Sequence, residues 1–433
     1  MGYRRMIKIE IEKLFGRFNY SITLNSNGLT IITGPNGYGK STILKIIQCL
    51  AQEFFGFVKL IKIDFRFIRI EFKGELFEIE NKNKEFRLNG LDLKKSAIDE
   101  FIMMNLEANR HYIQLDDSRF LDRRTEQLFG FSDYLNKYEE LDVESLMDPV
   151  LENRFKRKYG NYYNILSKLK ECIGNVYFVQ EQRLIKTNYS AKYRNEKSFV
   201  NVIEELPLKM KKLLTDFSTK YSKKAADLDS SYPSRLFKNE KSITENEYEK
   251  ERNLFKNKVD KLSKYNLSTV SLIDATFKEE FSKALKIYFD DFNMKYAEYE
   301  PLIEKLDLFT EIINSRLSYK KVKISNPKGL EVLDDNNKEL NISQLSSGEK
   351  QEIVLFYDLI FETPENTLLL IDEPEISLHI VWQKMFIDDL LKIVGMKNLN
   401  VIVATHAPQI INGHWENTID LGVMYEQHKG SND

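Results

Sequence analysis

Residues 6–14 set Ile7, Ile9 and Ile11 against Lys8, Glu10 and Glu12, the period-two pattern of a strand with one buried face. Residues 18–24, 62–72, 75–80 and 85–88 repeat that alternation, and together these segments predict an antiparallel β layer. A second pattern is continuous rather than alternating. Residues 29–33, 368–371 and 401–404 are short apolar and β-branched runs, and the run 368–371 reads as a parallel strand buried on both faces. Asn27-Gly28, just before the first of them, has the chemistry of a hairpin turn. Residues 41–52 change to helical spacing, with Ile43, Ile46, Ile47 and Leu50 on one face. From about residue 93 to 317 the pattern is mostly helical and rich in Lys, Glu, Tyr and Leu, interrupted by a strand at 176–179. Its two long helical runs, 245–265 and 271–315, are separated by Asn266-Leu267-Ser268. Strands at 322–324 and 330–333 with a turn at 334–337 then lead back to the sheet.

Between the run 29–33 and the helix 41–52 lies Gly34-Pro35-Asn36-Gly37-Tyr38-Gly39-Lys40-Ser41-Thr42, a phosphate-binding loop in its required strand–loop–helix setting. The three glycines let the chain curl until backbone amides converge on one point. Lys40 adds a mobile positive charge for the β- and γ-phosphates, and the Ser41 hydroxyl suits Mg²⁺. Residues 36–42 are the expected nucleotide-binding set.

The run 368–371 ends in Asp372-Glu373. Asp372 is placed to hold Mg²⁺, and Glu373, pointing the other way, to orient or deprotonate an attacking water. Leu345-Ser346-Ser347-Gly348-Glu349-Lys350-Gln351 precedes an apolar helical stripe of Ile353, Phe356, Tyr357 and Ile360. Ser346, Ser347 and Gly348 therefore sit at a helix start, where free N–H groups and the dipole favour an anion. His406 follows the run 401–404.

Four such motifs in this order resemble the ABC-type ATPase heads of the SMC, RecF and OLD-like class. The resemblance implies an α/β ABC-type P-loop ATPase head, a mixed core sheet plus an antiparallel β layer, with a compact α-helical insertion. Residues 1–201 would form the N-terminal part of the head, 202–316 the insertion and 317–433 the C-terminal part. It implies ATP and Mg²⁺ as ligands. It also implies that Ser346, Ser347 and Gly348 close over the ATP of a second subunit, giving a homo-oligomer of at least two chains. His406 matches the switch histidine that contacts the γ-phosphate in that class. Residues 375–379 occupy the place of the D-loop, with Ile380 where a proline is usual. The Mg²⁺-sensing glutamine is expected at Gln180, after the strand 176–179, with Gln114 as the rival; Arg183 nearby suits either a phosphate or a surface acid.

Composition narrows the function. At 433 residues and 42% hydrophobic content the chain can bury a substantial core. A net charge of −2 argues against a globally basic nucleic-acid coat, while basic clusters at 154–158, 209–212 and 220–224 leave local contact with nucleic acid open. Two distant cysteines without metal-ligand spacing point to a reducing cytoplasm, and no run reaches the ~18 apolar residues of a membrane span. The acidic pairs Asp116-Asp117, Asp290-Asp291 and Asp388-Asp389 read as surface acids.

Residues 407–433 are too few for the Toprim nuclease that follows the ATPase in OLD nucleases and the Gabija ATPase. The layout is instead similar to the ATPase components of anti-phage systems such as Septu and PARIS. That similarity implies a switch controlling a separate effector protein, expected to be a nuclease. The alternatives are a nucleotide-stabilised scaffold that sequesters an effector, and a RecF-like DNA-repair ATPase.

Overall fold

The computed structural model describes residues 7–82, 85–93, 95–108, 112–115, 119–123, 127–130, 153, 156–179, 184–188, 198–267 and 276–430. The chain divides into two compact units. One comprises Met1–Arg183, Thr187–Val200 and Thr363–Asp433, the other Leu184–Lys186 and Asn201–Glu362.

In the first unit, six described strands form an antiparallel sheet in the order Phe18–Thr23, Ile7–Leu14, Phe67–Phe72, Glu75–Lys82, Glu85–Leu88, Leu91–Leu93. Their alternation does what it predicts: Ile7, Ile9 and Ile11 are buried while Glu12 is exposed. A second, all-parallel sheet runs in the order Val176–Val179, Leu368–Asp372, Asn400–Ala404, Leu29–Thr33, Thr418–Asp420. Its strands Leu368–Asp372 and Asn400–Ala404 are flanked by partners on both edges, and Leu369 to Ile371 and Val401 to Ala404 are almost wholly inaccessible. The helix Lys40–Leu50 packs on this sheet. Its Ile43, Ile46, Ile47 and Leu50 join Ile7, Ile9, Ile70, Leu370 and Ile402 in one continuous core. The fold is thus α/β, with the expected antiparallel layer beside the parallel core sheet.

Several local expectations are corrected. Asn27-Gly28 does not close a hairpin, because Phe18–Thr23 and Leu29–Thr33 lie in different sheets; the turn hands the chain from one to the other. The strand expected at 62–72 starts at Phe67. Before it, a short helix Glu53–Leu60 ends in turns in which the Lys62 and Ile63 amides donate to Lys59 and Leu60. The segment read as helical from 93 also holds a three-stranded antiparallel sheet of Tyr112–Gln114, Arg119–Asp122 and Gln127–Gly130.

The second unit holds the helices Val202–Lys238, Glu245–Lys264, Ser282–Ala297 and Glu300–Asn314, a hairpin of Lys320–Ser325 and Gly329–Asp334, and the helix Ser347–Tyr357. Of the run read as one helix over 271–315, the described part is two helices, since Pro301 falls in the first turn of Glu300–Asn314, where a missing N–H costs nothing. Tyr248, Phe255, Phe289, Phe292 and Tyr296 pack among themselves as an aromatic core. Thr244 and Glu247 form a reciprocal capping box at the start of Glu245–Lys264.

Asp291 and Asp389 are not the surface acids expected. Both are buried, Asp291 in a two-pronged bond to Arg235 and Asp389 beside Lys392. Asp290 is half-buried beside Lys286, Asp388 is exposed beside His414, and Asp116-Asp117 lie outside the described residues.

Two glycines separate packing from propensity. A Cβ on Gly56 would fall 1.6 Å from the Cys49 carbonyl oxygen, whereas one on Gly395 would meet nothing within 4 Å. Gly56→Ala is therefore expected to destabilise the first unit by about 2 kcal/mol or more, and Gly395→Ala, in an exposed helical position, to stabilise it by about 0.5–1 kcal/mol. Urea unfolding of the two variants beside the parent checks both signs.

Candidate functional site

Parallel strands end together at their C-terminal edge, the usual place for a ligand in such sheets. Here Asp372 lies opposite Ala404, and Ala404 opposite Ile32. The phosphate loop, Asp372-Glu373 and Thr405-His406 therefore leave the sheet side by side.

The loop itself is shaped by glycine. Gly34, Gly37 and Gly39 have φ of 143°, 83° and 85°, values that side-chain-bearing residues rarely adopt. Gly39 caps the helix Lys40–Leu50 and has no side chain to occupy the first-turn amides, so that helix start is open to an anion. Asn36 and Gly37 are exposed, while Tyr38 packs against Phe18 and Tyr425 and its carbonyl accepts from the Tyr20 hydroxyl. This aromatic support comes from two separate elements, a strand and a helix, and sequence periodicity alone did not single it out.

Lys40 is only 5% exposed. Its Nζ donates to the Gly34 carbonyl at 3.0 Å and lies 3.5 Å from Glu373 Oε1. The Ser41 hydroxyl donates to Asp372 Oδ1 at 3.0 Å, with Thr42 following it in the same helical turn. Two ligand oxygens at right angles around Mg²⁺, each about 2.1 Å from the ion, stand about 3 Å apart. The Ser41–Asp372 pair fits that spacing and that all-oxygen preference.

Glu373 breaks the strand geometry. Its φ of 43° and ψ of 59° are left-handed, a strained conformation of order 1–3 kcal/mol that is characteristic of functional sites. Its amide still donates to the Ala404 carbonyl at 2.9 Å, which pins the turn while the carboxylate leans toward His406 Nδ1, 2.5 Å away. Burial first, and then the adjacent Glu375 carboxylate, raise the Glu373 carboxyl above the ordinary carboxylate range; His406 and Lys40 pull it part-way back. A less acidic carboxylate is a stronger base once ionised.

Glu375 entered the sequence reading only as the start of the D-loop segment. It is buried, and its Oε1 accepts from the Thr405 hydroxyl at 2.5 Å, the His406 amide at 2.9 Å and the Ala407 amide at 3.2 Å. Glu373, Glu375 and His406 offer ligand atoms within 4.8 Å of one another. With Glu375 Oε1 already accepting three protein donors, the trio reads as a hydrogen-bonded network rather than a cation site. His379 caps the helix Ile380–Lys397 by accepting from the Val381 amide, so a helix begins at Ile380 without the proline usual there.

The remaining candidates belong to other segments of the chain. Ser346, Ser347 and Gly348 open the helix Ser347–Tyr357 in the second unit. Ser346 and Ser347 are exposed. Ser346 and Glu349 form a capping box, and Lys320 Nζ sits 3.0 Å from both Glu349 oxygens. Glu352, one turn on, forms a buried ion pair with Arg316, whose guanidinium also covers the Phe356 ring. Gln180 and Arg183 lie outside the described residues. Val179, just before Gln180, is opposite Ile371 in the parallel sheet, whereas Gln114 is exposed in the separate three-stranded sheet.

A family model described as an AAA ATPase domain matches residues 6–411. A probable ATPase of retron Ec83 from Escherichia coli is 37% identical over 90 residues, 18% of this chain and 16% of that protein. A probable iron chelatin transport ATP-binding protein of Helicobacter pylori is 33% identical over 93 residues, 21% of this chain and 35% of its own length. The chain thus spans only a minor part of these curated relatives. Among solved structures, the Smc head domain of Pyrococcus furiosus bound to the C-terminal domain of ScpA aligns over 96% of this chain and 93% of its own, at 15% identity and a TM-score of 0.37. No described helix is long and apolar enough to cross a membrane. With the match running over most of its length, this chain belongs to the AAA ATPase domain family.

Proposed function

We propose that this protein is an ATP-driven switch in which each catalytic pocket is completed by a second copy of the chain. The observation that supports it best is the meeting of Lys40, Ser41, Asp372, Glu373 and His406 at the level ends of three adjacent parallel strands.

In this reading the amides of residues 36–42 and the helix start behind them bind the β- and γ-phosphates of ATP. Lys40 turns from the Gly34 carbonyl to the phosphate oxygens. Ser41 and Asp372 would hold Mg²⁺, which would supply positive charge to offset that of the phosphates. Glu373 accepts the proton of the attacking water, and its left-handed backbone is what directs its carboxylate away from Asp372. His406 holds Glu373 in place through Nδ1 and leaves its other ring nitrogen for the γ-phosphate. Ser346, Ser347 and Gly348 of a second chain close the pocket, as the resemblance to SMC-type heads implies, and Gln180 is the proposed Mg²⁺ sensor.

The setting we favour is cytoplasmic and bacterial anti-phage: ATP turnover or ATP-dependent assembly controls a separate effector protein, expected to be a nuclease. The stretch shared with the retron ATPase is consistent with that setting. Among the basic clusters, Lys158 is paired with Glu100 and Lys209 with Glu205, which leaves less free charge for nucleic acid than the sequence runs imply.

Two variants test the chemistry. Lys40→Ala is expected to weaken ATP binding on the order of 100-fold, the scale of losing charge-assisted bonds to phosphate, measured by titration with a fluorescent ATP analogue. Glu373→Gln is expected to bind ATP like the parent, to hydrolyse it at least about 100-fold more slowly, and to accumulate as a larger species in light scattering with ATP. Parent-like turnover by Glu373→Gln would remove the base assignment. The shared pocket has its own test: turnover per chain should rise with chain concentration and level off once assembly is complete, and a rate independent of dilution down to a monomer would refute it.

A further inference from the structure

We infer that Glu375 is a positioning residue for ATP hydrolysis, anchoring the turn 405–407 so that His406 faces Glu373. This rests on the reading above, that Glu373 and His406 act on ATP.

The turn needs a device to hold it. The strand Asn400–Ala404 ends one residue before Thr405, so no ladder fixes the backbone of 405–407 beyond the Thr405 amide, which donates to the Ile32 carbonyl. Glu375 supplies what the sheet no longer does. Three donors from three consecutive residues converge on its Oε1: a side-chain hydroxyl, the amide of the histidine itself and the amide after it. With His406 gripped at its own nitrogen and from both neighbours, the ring direction follows from the backbone. Nδ1 then lies 2.5 Å from Glu373 and 3.1 Å from Glu375.

The arrangement is poor as a purely structural solution. A buried carboxylate is costly, and Glu375 sits beside another carboxylate. Its Oε2 is buried with no hydrogen-bond partner. His406 is the one basic side chain ion-paired with it among the described residues. A local rule broken at this cost, next to the reacting groups, fits a residue retained for the pairing it enforces.

The experiment measures ATP turnover and ATP affinity for the full-length parent, Glu375→Ala, Glu375→Gln, His406→Ala and the double variant Glu375→Ala/His406→Ala, with Glu373→Gln alongside. Glu375→Ala is expected to lower kcat between about 10- and 100-fold, the range for residues that orient reacting groups, with KM and ATP affinity within about 3-fold of the parent. Glu375→Gln, which keeps an acceptor oxygen for the three donors, should recover most of that loss. In the His406→Ala background, Glu375→Ala should cost no more than about 2-fold, because residues acting as one unit are not additive.

Parent-like kcat in Glu375→Ala would overturn the inference, as would an equal loss with and without His406, or a loss shared equally by ATP affinity. If Glu375→Ala does not fold, Thr405→Val carries the test. It removes only the hydroxyl donor and should lower kcat about 5-fold with His406 present and not without it; the absence of that difference overturns the proposal. An inactive parent, or a parent-like Glu373→Gln, would instead sink the underlying reading.

Discussion

The register of three parallel strands governs this molecule. Pairing Asp372 with Ala404 and Ala404 with Ile32 brings a loop from the start of the chain level with two turns more than 330 residues later. Strand side chains alternate between faces, so a slip of one residue would turn Asp372 away from Ser41 and move every buried neighbour with it. What resists the slip is the continuous apolar burial of Leu369 to Ile371 and Val401 to Ala404. The polar chemistry at the edge is located by residues that carry no polar chemistry themselves.

The helix Lys40–Leu50 couples the same two requirements. Its first turn carries Lys40 and Ser41, and its remaining turns bury Ile43, Ile46, Ile47 and Leu50 in the shared core. A rigid apolar face holds the N-terminal amides in one direction, so the convergence of donors at the loop is in place before any ligand arrives. Such preorganisation is the main source of electrostatic stabilisation at reacting centres.

Much of this was legible in the sequence, for a physical reason. The phosphate loop, the acidic strand end and the helix start at Ser346 are local: each depends on neighbours within a few residues, and turn, strand and cap chemistry write themselves into composition. What escaped depends on partners far along the chain. Asp291 looks like any exposed helix acid until Arg235 from another helix reaches it. The role of Glu375 is set by three donors about 30 residues on. The aromatic packing under Tyr38 draws on Phe18 and Tyr425 from opposite ends of the chain. The break near Pro301 and the true start of the strand at Phe67 were missed because a pattern that fits a longer element also fits a shorter one followed by a turn.

The Ser346–Glu349 box has one more implication. Glu349 lies in the first turn of the helix Ser347–Tyr357, where a free carboxylate would repel an incoming anion. Here that acidity is discharged at home: Lys320, 29 residues upstream on the hairpin, lies against both oxygens, and one of the two also receives the Ser346 amide. The electrical character of the motif is therefore decided by a β-strand outside it. A lysine that no motif scan would highlight determines whether this helix tip presents a neutral surface or a negative one.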